Sequence, residues 1–389
     1  MNVKELAEQY RNEIIAWRRD FHAHPELALE EFETADKVAR ELEKLGIKVT
    51  RVGKTGVLGT LTGNHPGKTV ALRADMDALA IVETTGVSYQ SKNAGVMHAC
   101  GHDGHTAMLL GAAKILSQLK DEIRGTIKFI FQPAEEVGLG ALQFLEAGIL
   151  EGVSAVFGAH LWPDIPTGKV SLEAGPRMAS VAKIKITVKG ASVHGSMPNL
   201  GVDAIVAAAA IVMNLQTISS REISPLEPVV VSIGKFAGGT SWNILCDEVV
   251  MEGTTRSFSR ETKNKLCEMI ERVARNTAAS LRAEAHVEYA ETAPPTINDP
   301  HVSKIAAGAL KKLYGEGAAV EAPKVMGGED FAYLMEAVPG AFALIGSGNK
   351  EKETSLPLHQ GKFNIDEDAL PIGAALHAQF ALDFLAQEN

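Results

Sequence analysis

The stretch TVALRADMD, residues 69–77, runs from a strand-like apolar core at Thr69–Ala74 directly into Asp75 and Asp77. Three further short runs read the same way: Thr126–Phe131, Val153–Ala159 and Ala341–Ile345. Each is too short for a helix and is bounded by glycine or polar residues, the pattern of a strand buried on both faces. Between the first two, Thr106–Lys120 repeats apolar residues at Met108, Leu109, Ala112, Ile115 and Leu116, which predicts a helix. The stretch up to about Leu45 also reads as helical. Strands alternating with helices predict an α/β domain with a mostly parallel sheet.

The middle third has another rhythm. Val181–Val188 (VAKIKITV) alternates as a half-exposed strand does. A helix follows over about 202–219, then strands at 228–233 and 248–253, a helix at 261–281 and a strand at 285–289. The order β-α-β-β-α-β is that of a ferredoxin-like sandwich. Pro294 and Pro295 mark a return, after which the α/β pattern resumes. Residues 180–293 therefore read as a small domain inserted into a larger, discontinuous one made of 1–179 and 294–389.

Composition narrows the function. A chain of 389 residues suggests about two domains. With 46% hydrophobic and 22% charged residues it has the profile of a globular protein. A net charge of −10 argues against nucleic acid as a partner, because phosphate binding needs a basic face. Three widely spaced cysteines, Cys100, Cys246 and Cys267, do not form a disulfide framework and point to a reducing compartment. Met1–Tyr10 has no secretory pattern. The longest apolar run, Ala204–Met213, is short for a membrane span and reads as a buried helix. The expectation is a cytoplasmic protein with no membrane partner.

The polar residues collect at strand ends. The first strand runs into Arg73, Asp75 and Asp77, the second (FIFQPAEE) into Glu135 and Glu136, and the third ends at His160. In open α/β sheets ligands bind beyond the carboxyl ends of the strands. Between the first two strands lies MHACGHDGHTA, residues 97–107, with Cys100, His102, Asp103 and His105 at the start of a helix. Any one of these has a plain structural role: a buried thiol, a helix cap, an idle imidazole. Together they offer thiolate, imidazole and carboxylate, the donors of Zn²⁺ and similar metals. No G-x-G-x-x-G turn and no G-x-S-x-G elbow is present, which argues against a dinucleotide-binding oxidoreductase and a serine hydrolase.

The segments RADMDAL, MHACGHDGH, QPAEE, GAHLWP, VHGSMP, GTTRSF, GGEDFA and LPLHQGKF, in this order, resemble one metallo-amidohydrolase family. It is the aminoacylase group that holds hippurate hydrolase, N-acyl-L-amino-acid amidohydrolase and the auxin-conjugate hydrolases. The resemblance spans nearly the whole chain. It implies Cys100, His102, Glu136, His160 and His359 as ligands of two divalent metal ions per subunit, Zn²⁺, Mn²⁺, Co²⁺ or Ni²⁺. It also implies Glu135 as general base and Asp77 as the residue orienting a ligand histidine. The inserted domain becomes a lid that dimerises and supplies His194, Asn243 and Arg256 to an N-acyl amino acid or short peptide. Three positions depart from the family pattern. Gly195 replaces an alanine, the loop after Asn243 lacks a proline, and Gly328 replaces a serine. His22, His24, His65, His286, His301 and His377 read as structural or ordinary. Trp162 and Trp242 flank proposed site residues. The competing readings are a carboxypeptidase or dipeptidase using the same metals, and a non-catalytic metal-binding scaffold.

Overall fold

Strand β3, His65–Asp75, is buried from Val70 to Asp75, so both of its faces are covered. Its neighbours are β4 (Arg124–Gln132) and β5 (Val153–Pro166), both parallel to it. The strand Gly340–Gly348 continues the parallel run beside β5. Antiparallel strands β1 (Lys48–Val52), β2 (Gly56–Thr62) and β6 (Val170–Ser171) complete the margins. The sheet order is β1-β2-β4-β3-β5, then Gly340–Gly348, then β6. This is a mixed α/β fold with a mostly parallel central sheet. The computed structural model describes residues Met1–Gln387.

One face of the sheet carries the helix His102–Gln118, which packs against the helices Arg11–Ala23 and Ala369–Leu385. Phe157 of β5 stacks on Phe380 with ring centroids 4.4 Å apart. The helix Phe32–Lys44 packs on the same face against β1 and β2, while the opposite face takes Phe331–Ala337 against β5 and Gly340–Gly348. Residues Asp75 and Gln132 are register partners, so β3 and β4 end at one level. That level is where the polar residues emerge.

The N-terminal stretch is helical as read, in three helices, Val3–Gln9, Arg11–Ala23 and Phe32–Lys44. Three local readings change. The helix read from Thr106 begins at His102, because Gly101 at φ 93° turns the chain and its carbonyl accepts from the N–H groups of Gly104 and His105. Strand β5 does not end at His160 but continues to Pro166, since past Gly158 it keeps Gly340–Gly348 as its partner. The helix Ala204–Thr217 is not buried all round. Ala204, Ala207, Ala208, Ile211 and Leu215 face inward, while Val206 and Met213 are 53% and 71% exposed. It runs on through a π-turn to Glu222, and these 19 residues are long and apolar enough to cross a membrane by length and composition. Counting only the uninterrupted apolar residues understates the run.

The chain separates into two compact units. One is Met1–Gly175 with Ile297–Pro323 and Asp330–Asn389; the other is Pro176–Thr296 with the short return Lys324–Glu329. In the second, β7 (Ser180–Lys189), β8 (Val229–Gly238), β9 (Glu248–Ser257) and β10 (Glu284–Ala293) form an antiparallel sheet in the order β10-β7-β9-β8. Alternation in β7 turns Ile184, Ile186 and Val188 inward, into a core shared with the helices Ala204–Thr217 and Arg260–Ser280.

The turn after β4 is held at close quarters. Gly140 donates its N–H to the Ala134 carbonyl and to Asp330, and a Cβ there would sit 1.6 Å from the Pro133 carbonyl oxygen. Gly140→Ala should therefore force the turn apart. We expect a destabilisation of about 1–3 kcal/mol, the usual size for overpacking, read as a lower urea midpoint. An unchanged midpoint would show that the turn yields freely.

Candidate metal centre

Cys100 sits just before the helix that starts at His102. Its Sγ lies 3.4 Å from His160 Nε2 and 3.3 Å from His359 Nε2. Glu136 Oε1 is 3.4 Å from His359 Nε2 and 3.9 Å from His102 Nε2. Two groups form around the sulfur, Cys100–His102–His160 and Cys100–Glu136–His359, with the ligand atoms of each within 4.8 Å of one another. Glu135 joins His102 and Glu136 within the same distance. The five residues implied as ligands and the implied base thus meet in the first unit.

Fixed hydrogen bonds aim these atoms. His102 Nδ1 lies 2.9 Å from the Asp77 carbonyl oxygen and 3.2 Å from its Oδ1. Asp77 Oδ2 accepts the Glu136 N–H at 3.0 Å. His160 Nδ1 donates to the Leu161 carbonyl at 2.7 Å, which leaves its Nε2 facing Cys100. Two of the non-glycine residues with left-handed backbone lie at this centre, Ala134 at φ 53° and His359 at φ 61°. Ala134 donates its N–H to buried Glu31, and His359 donates its own to the Ala99 carbonyl.

Buried His102 Nε2 and Glu136 Oε1 lack any hydrogen-bond partner. Buried polar atoms are rarely left so. Burial pushes the Cys100 thiol well above its ordinary pKa, and the Glu136 carboxylate adds to the push. A thiolate there needs a cation beside it. The donor set and its orphaned atoms fit divalent metal ions. Asp75, His102 and His105 also cluster. His105, however, donates from Nδ1 to Asp75 at 2.6 Å and accepts the Leu161 N–H on Nε2 at 2.8 Å, so neither nitrogen is open to a metal.

The second unit holds the other three implied residues. An isolated antiparallel bridge joins His194 to Ile244, and the Gly195 N–H donates to the Asn243 carbonyl at 2.7 Å, so His194 and Asn243 are neighbours. Arg256 lies on β9 and donates to Thr254 and to the Thr255 carbonyl. Among the described residues it has no carboxylate partner.

The sequence description of one peptidase family, M20/M25/M40, matches residues 71–383. The chain belongs to peptidase family M20/M25/M40 and is a hydrolase of that family. It is 42% identical over 375 residues to N-acetylcysteine deacetylase of Bacillus subtilis, covering 96% of this chain and 97% of that one. It is also 42% identical to thermostable carboxypeptidase 2 of Saccharolobus solfataricus, covering 98% and 97%. The crystal structure of the YXEP protein of Bacillus subtilis, described as a dinuclear metal binding peptidase of the M20 family, superposes with a TM-score of 0.87. That protein is 40% identical, with 97% and 99% of the two chains covered.

In this M20 chain, sequence reading names Arg73, Asp75 and Asp103 without a bracing role, takes His22 as structural, and misses Arg18, Glu31, Gln132 and Asp330. Arg73 bonds Gln132, Asp75 and Asp330, and Asp330 holds the Gly140 and Ala141 N–H groups. Glu31 supports the turn before Glu135. Behind His102, Asp103 Oδ2 accepts from Arg18 Nε and from His22 Nδ1, both at 2.8 Å. The spacing of Arg18 and His22, four residues apart on one predicted helix, was the available signal.

His22 also lies 3.1 Å from Glu83 through Nε2. Burial and the Arg18 charge lower its pKa, but the bonds to Asp103 and Glu83 outweigh them and leave it raised above 6.5. A raised histidine stabilises fully below its unfolded pKa, about 6.5, and that contribution fades as pH climbs through the folded value. The urea midpoint of metal-free protein should fall as pH rises above about 6.5. In His22→Asn that slope should flatten. Equal slopes in the two proteins would place the charge elsewhere.

Proposed function

We propose that this protein hydrolyses the amide bond of N-acyl amino acids, using two divalent metal ions held by Cys100, His102, Glu136, His160 and His359. The observation that carries the reading is the pair of orphaned donors, His102 Nε2 and Glu136 Oε1, facing Cys100 with Glu135 alongside. The relative named for deacetylation of N-acetylcysteine supports the substrate class. When bound, the ions would lower the pKa of a water and polarise the scissile carbonyl. Thiolate favours Zn²⁺, while the imidazole and carboxylate donors also suit Mn²⁺, Co²⁺ or Ni²⁺.

The remaining steps fall to side chains. Glu135 takes the proton of the attacking water and later delivers it to the leaving nitrogen. Asp77 keeps His102 Nε2 aimed inward. His194 accepts on Nδ1 from the Ser196 N–H at 3.2 Å, so its Nε2 carries the proton and can donate to the tetrahedral oxyanion. Asn243 Oδ1 accepts from Ser241, which leaves its amide N–H₂ to donate to substrate. Arg256, half-buried and without a carboxylate partner, suits the substrate's free carboxylate.

The order β10-β7-β9-β8 with two helices supports reading this unit as a ferredoxin-like domain. We read residues 180–293 as a lid that dimerises, and the exposed apolar residues Val206 and Met213 support a homodimer or a dimer-based oligomer. Three unpaired cysteines support a cytoplasmic location. A second reading, carboxypeptidase or dipeptidase, is favoured by the relative named thermostable carboxypeptidase 2. Side-by-side rates on N-acetyl amino acids, hippurate and dipeptides separate the two.

Two variants test the division of roles. Glu135→Gln should lower kcat by roughly 10²–10⁴-fold, the usual size of a general acid–base contribution, with metal content unchanged. Cys100→Ser should lose metal as well as activity. A Glu135→Gln protein that is metal-free, or a Cys100→Ser protein that is fully loaded, would overturn the assignment.

Recognition of the carboxylate has its own test. Arg256→Ala should lower kcat/KM by roughly 10–150-fold, the equivalent of a charged hydrogen bond worth about 1.5–3 kcal/mol. Parent enzyme should discriminate against N-acyl amino-acid amides to a similar degree. Equal cleavage of acid and amide would remove Arg256 from the site.

A further inference from the structure

The helix Arg11–Ala23 touches none of the proposed ligands through a hydrogen bond, yet it carries a fully buried guanidinium. Arg18 and His22 lie four residues apart, on one face of this helix. Arg18 Nε donates to Asp103, the neighbour of His102, at 2.8 Å, and both side chains are 0% exposed. Its Nη2 donates to Asn364 at 3.0 Å, and its Nη1 to Glu367 at 3.3 Å. Asn364 and Glu367 follow His359 in the same segment, which is anchored in the core by Phe363 and Ile365. A second route runs through His22. Its Nε2 meets Glu83, and the next residue, Thr84, donates its N–H to the Gly361 carbonyl at 2.7 Å.

Two segments far apart in sequence are thus fastened to one helix. One begins with His102, in the group Cys100–His102–His160; the other contains His359, in the group Cys100–Glu136–His359. His359 is the weakly held member, with a side chain 52% exposed and a left-handed backbone. We infer that Arg18 is a positioning residue for the metal centre, holding the His359 segment at a fixed distance from the His102 helix so that the Cys100–Glu136–His359 position can be filled. The inference rests on the metal centre proposed above. A guanidinium suits this task because its planar fork makes several directed bonds at once, which a lysine ammonium cannot reproduce.

The test is metal binding by the full chain. Metal-free parent, Arg18→Lys and the double variant Asn364→Ala/Glu367→Gln are titrated with Zn²⁺ against a competing chelator, and bound zinc is counted by mass spectrometry. The double variant cuts the link from the far side while Arg18 keeps Asp103, so it remains informative if Arg18→Lys fails to fold. Parent should bind two ions. The double variant should bind one with the parent's affinity and the second at least tenfold more weakly, with the Tm of the metal-free protein within a few degrees of the parent's. His359→Ala should show the same one-ion deficit. Two ions bound with parent affinities in the double variant would overturn the role of Arg18 and leave the metal centre standing. An equal loss at both positions, matched by a fall in the metal-free Tm, would reduce Arg18 to general stability and also overturn it. A parent that binds no zinc would overturn the metal centre, and the role of Arg18 with it.

Discussion

The carboxylate of Asp77 is shared between two segments, and the geometry of the centre hangs on that sharing. One oxygen takes the imidazole N–H of His102 and the other takes the backbone N–H of Glu136. Both donors are fixed in direction, so the carboxylate sets the rotation of the ring and the start of the acidic turn together. The arrangement is available only because β3 and β4 end level, at Asp75 and Gln132. A register shift of one residue would turn every strand-end side chain to the opposite face.

Burying so many acids is costly unless each has a counter-charge. Asp75 resists through His102, His105 and Arg73, which hold it well below the usual carboxylate range against the opposing effect of burial. Asp103 is held low mainly by Arg18, again against burial. Asp330 is met by Arg73 and Gln132. Cys100 and Glu136 face each other and have only imidazoles as cationic neighbours, and among the described residues no Lys or Arg ion pair reaches Glu136. The sheet end is therefore balanced by fixed cations at its back and unbalanced at one place in front, which is where the M20 family's metal chemistry fits.

The parallel core was legible because strands covered on both faces must be apolar throughout, and TVALRA, TIKFIF and VSAVFGA lie inside β3, β4 and β5. The alternation of VAKIKITV was legible for the opposite reason, since β7 has one dry face. Less could be read where no periodicity exists. Trp162 and Pro163 hid the continuation of β5. Ala134 and His359 adopt left-handed backbone without the glycine that would announce it. The cluster at Cys100 and His102 was visible from residue types alone, whereas His359 came only through resemblance, because it stands on a loop. The buried pair Arg18–Asp103 had no sequence signature beyond helical spacing, since a desolvated ion pair replaces the apolar residue that pattern reading expects.

The roles proposed for the adjacent glutamates depend on the local backbone. Side chains on consecutive residues of a strand point to opposite faces, so Glu135 and Glu136 could not both reach His102 if β4 simply continued. The left-handed turn at Ala134 ends the strand and brings both carboxylates within 4.8 Å of that ring. The conformation is uncommon for alanine and has to be held by its surroundings. Glu31 supplies the hold, accepting the Ala134 and Leu29 N–H groups on one oxygen and the Thr55 hydroxyl on the other. Burial raises the pKa of Glu31 despite these bonds, which shows how far it has been withdrawn from water. Glu31 thus fixes the turn that directs Glu135 and Glu136, and the proposed division between a metal ligand and a proton carrier depends on it.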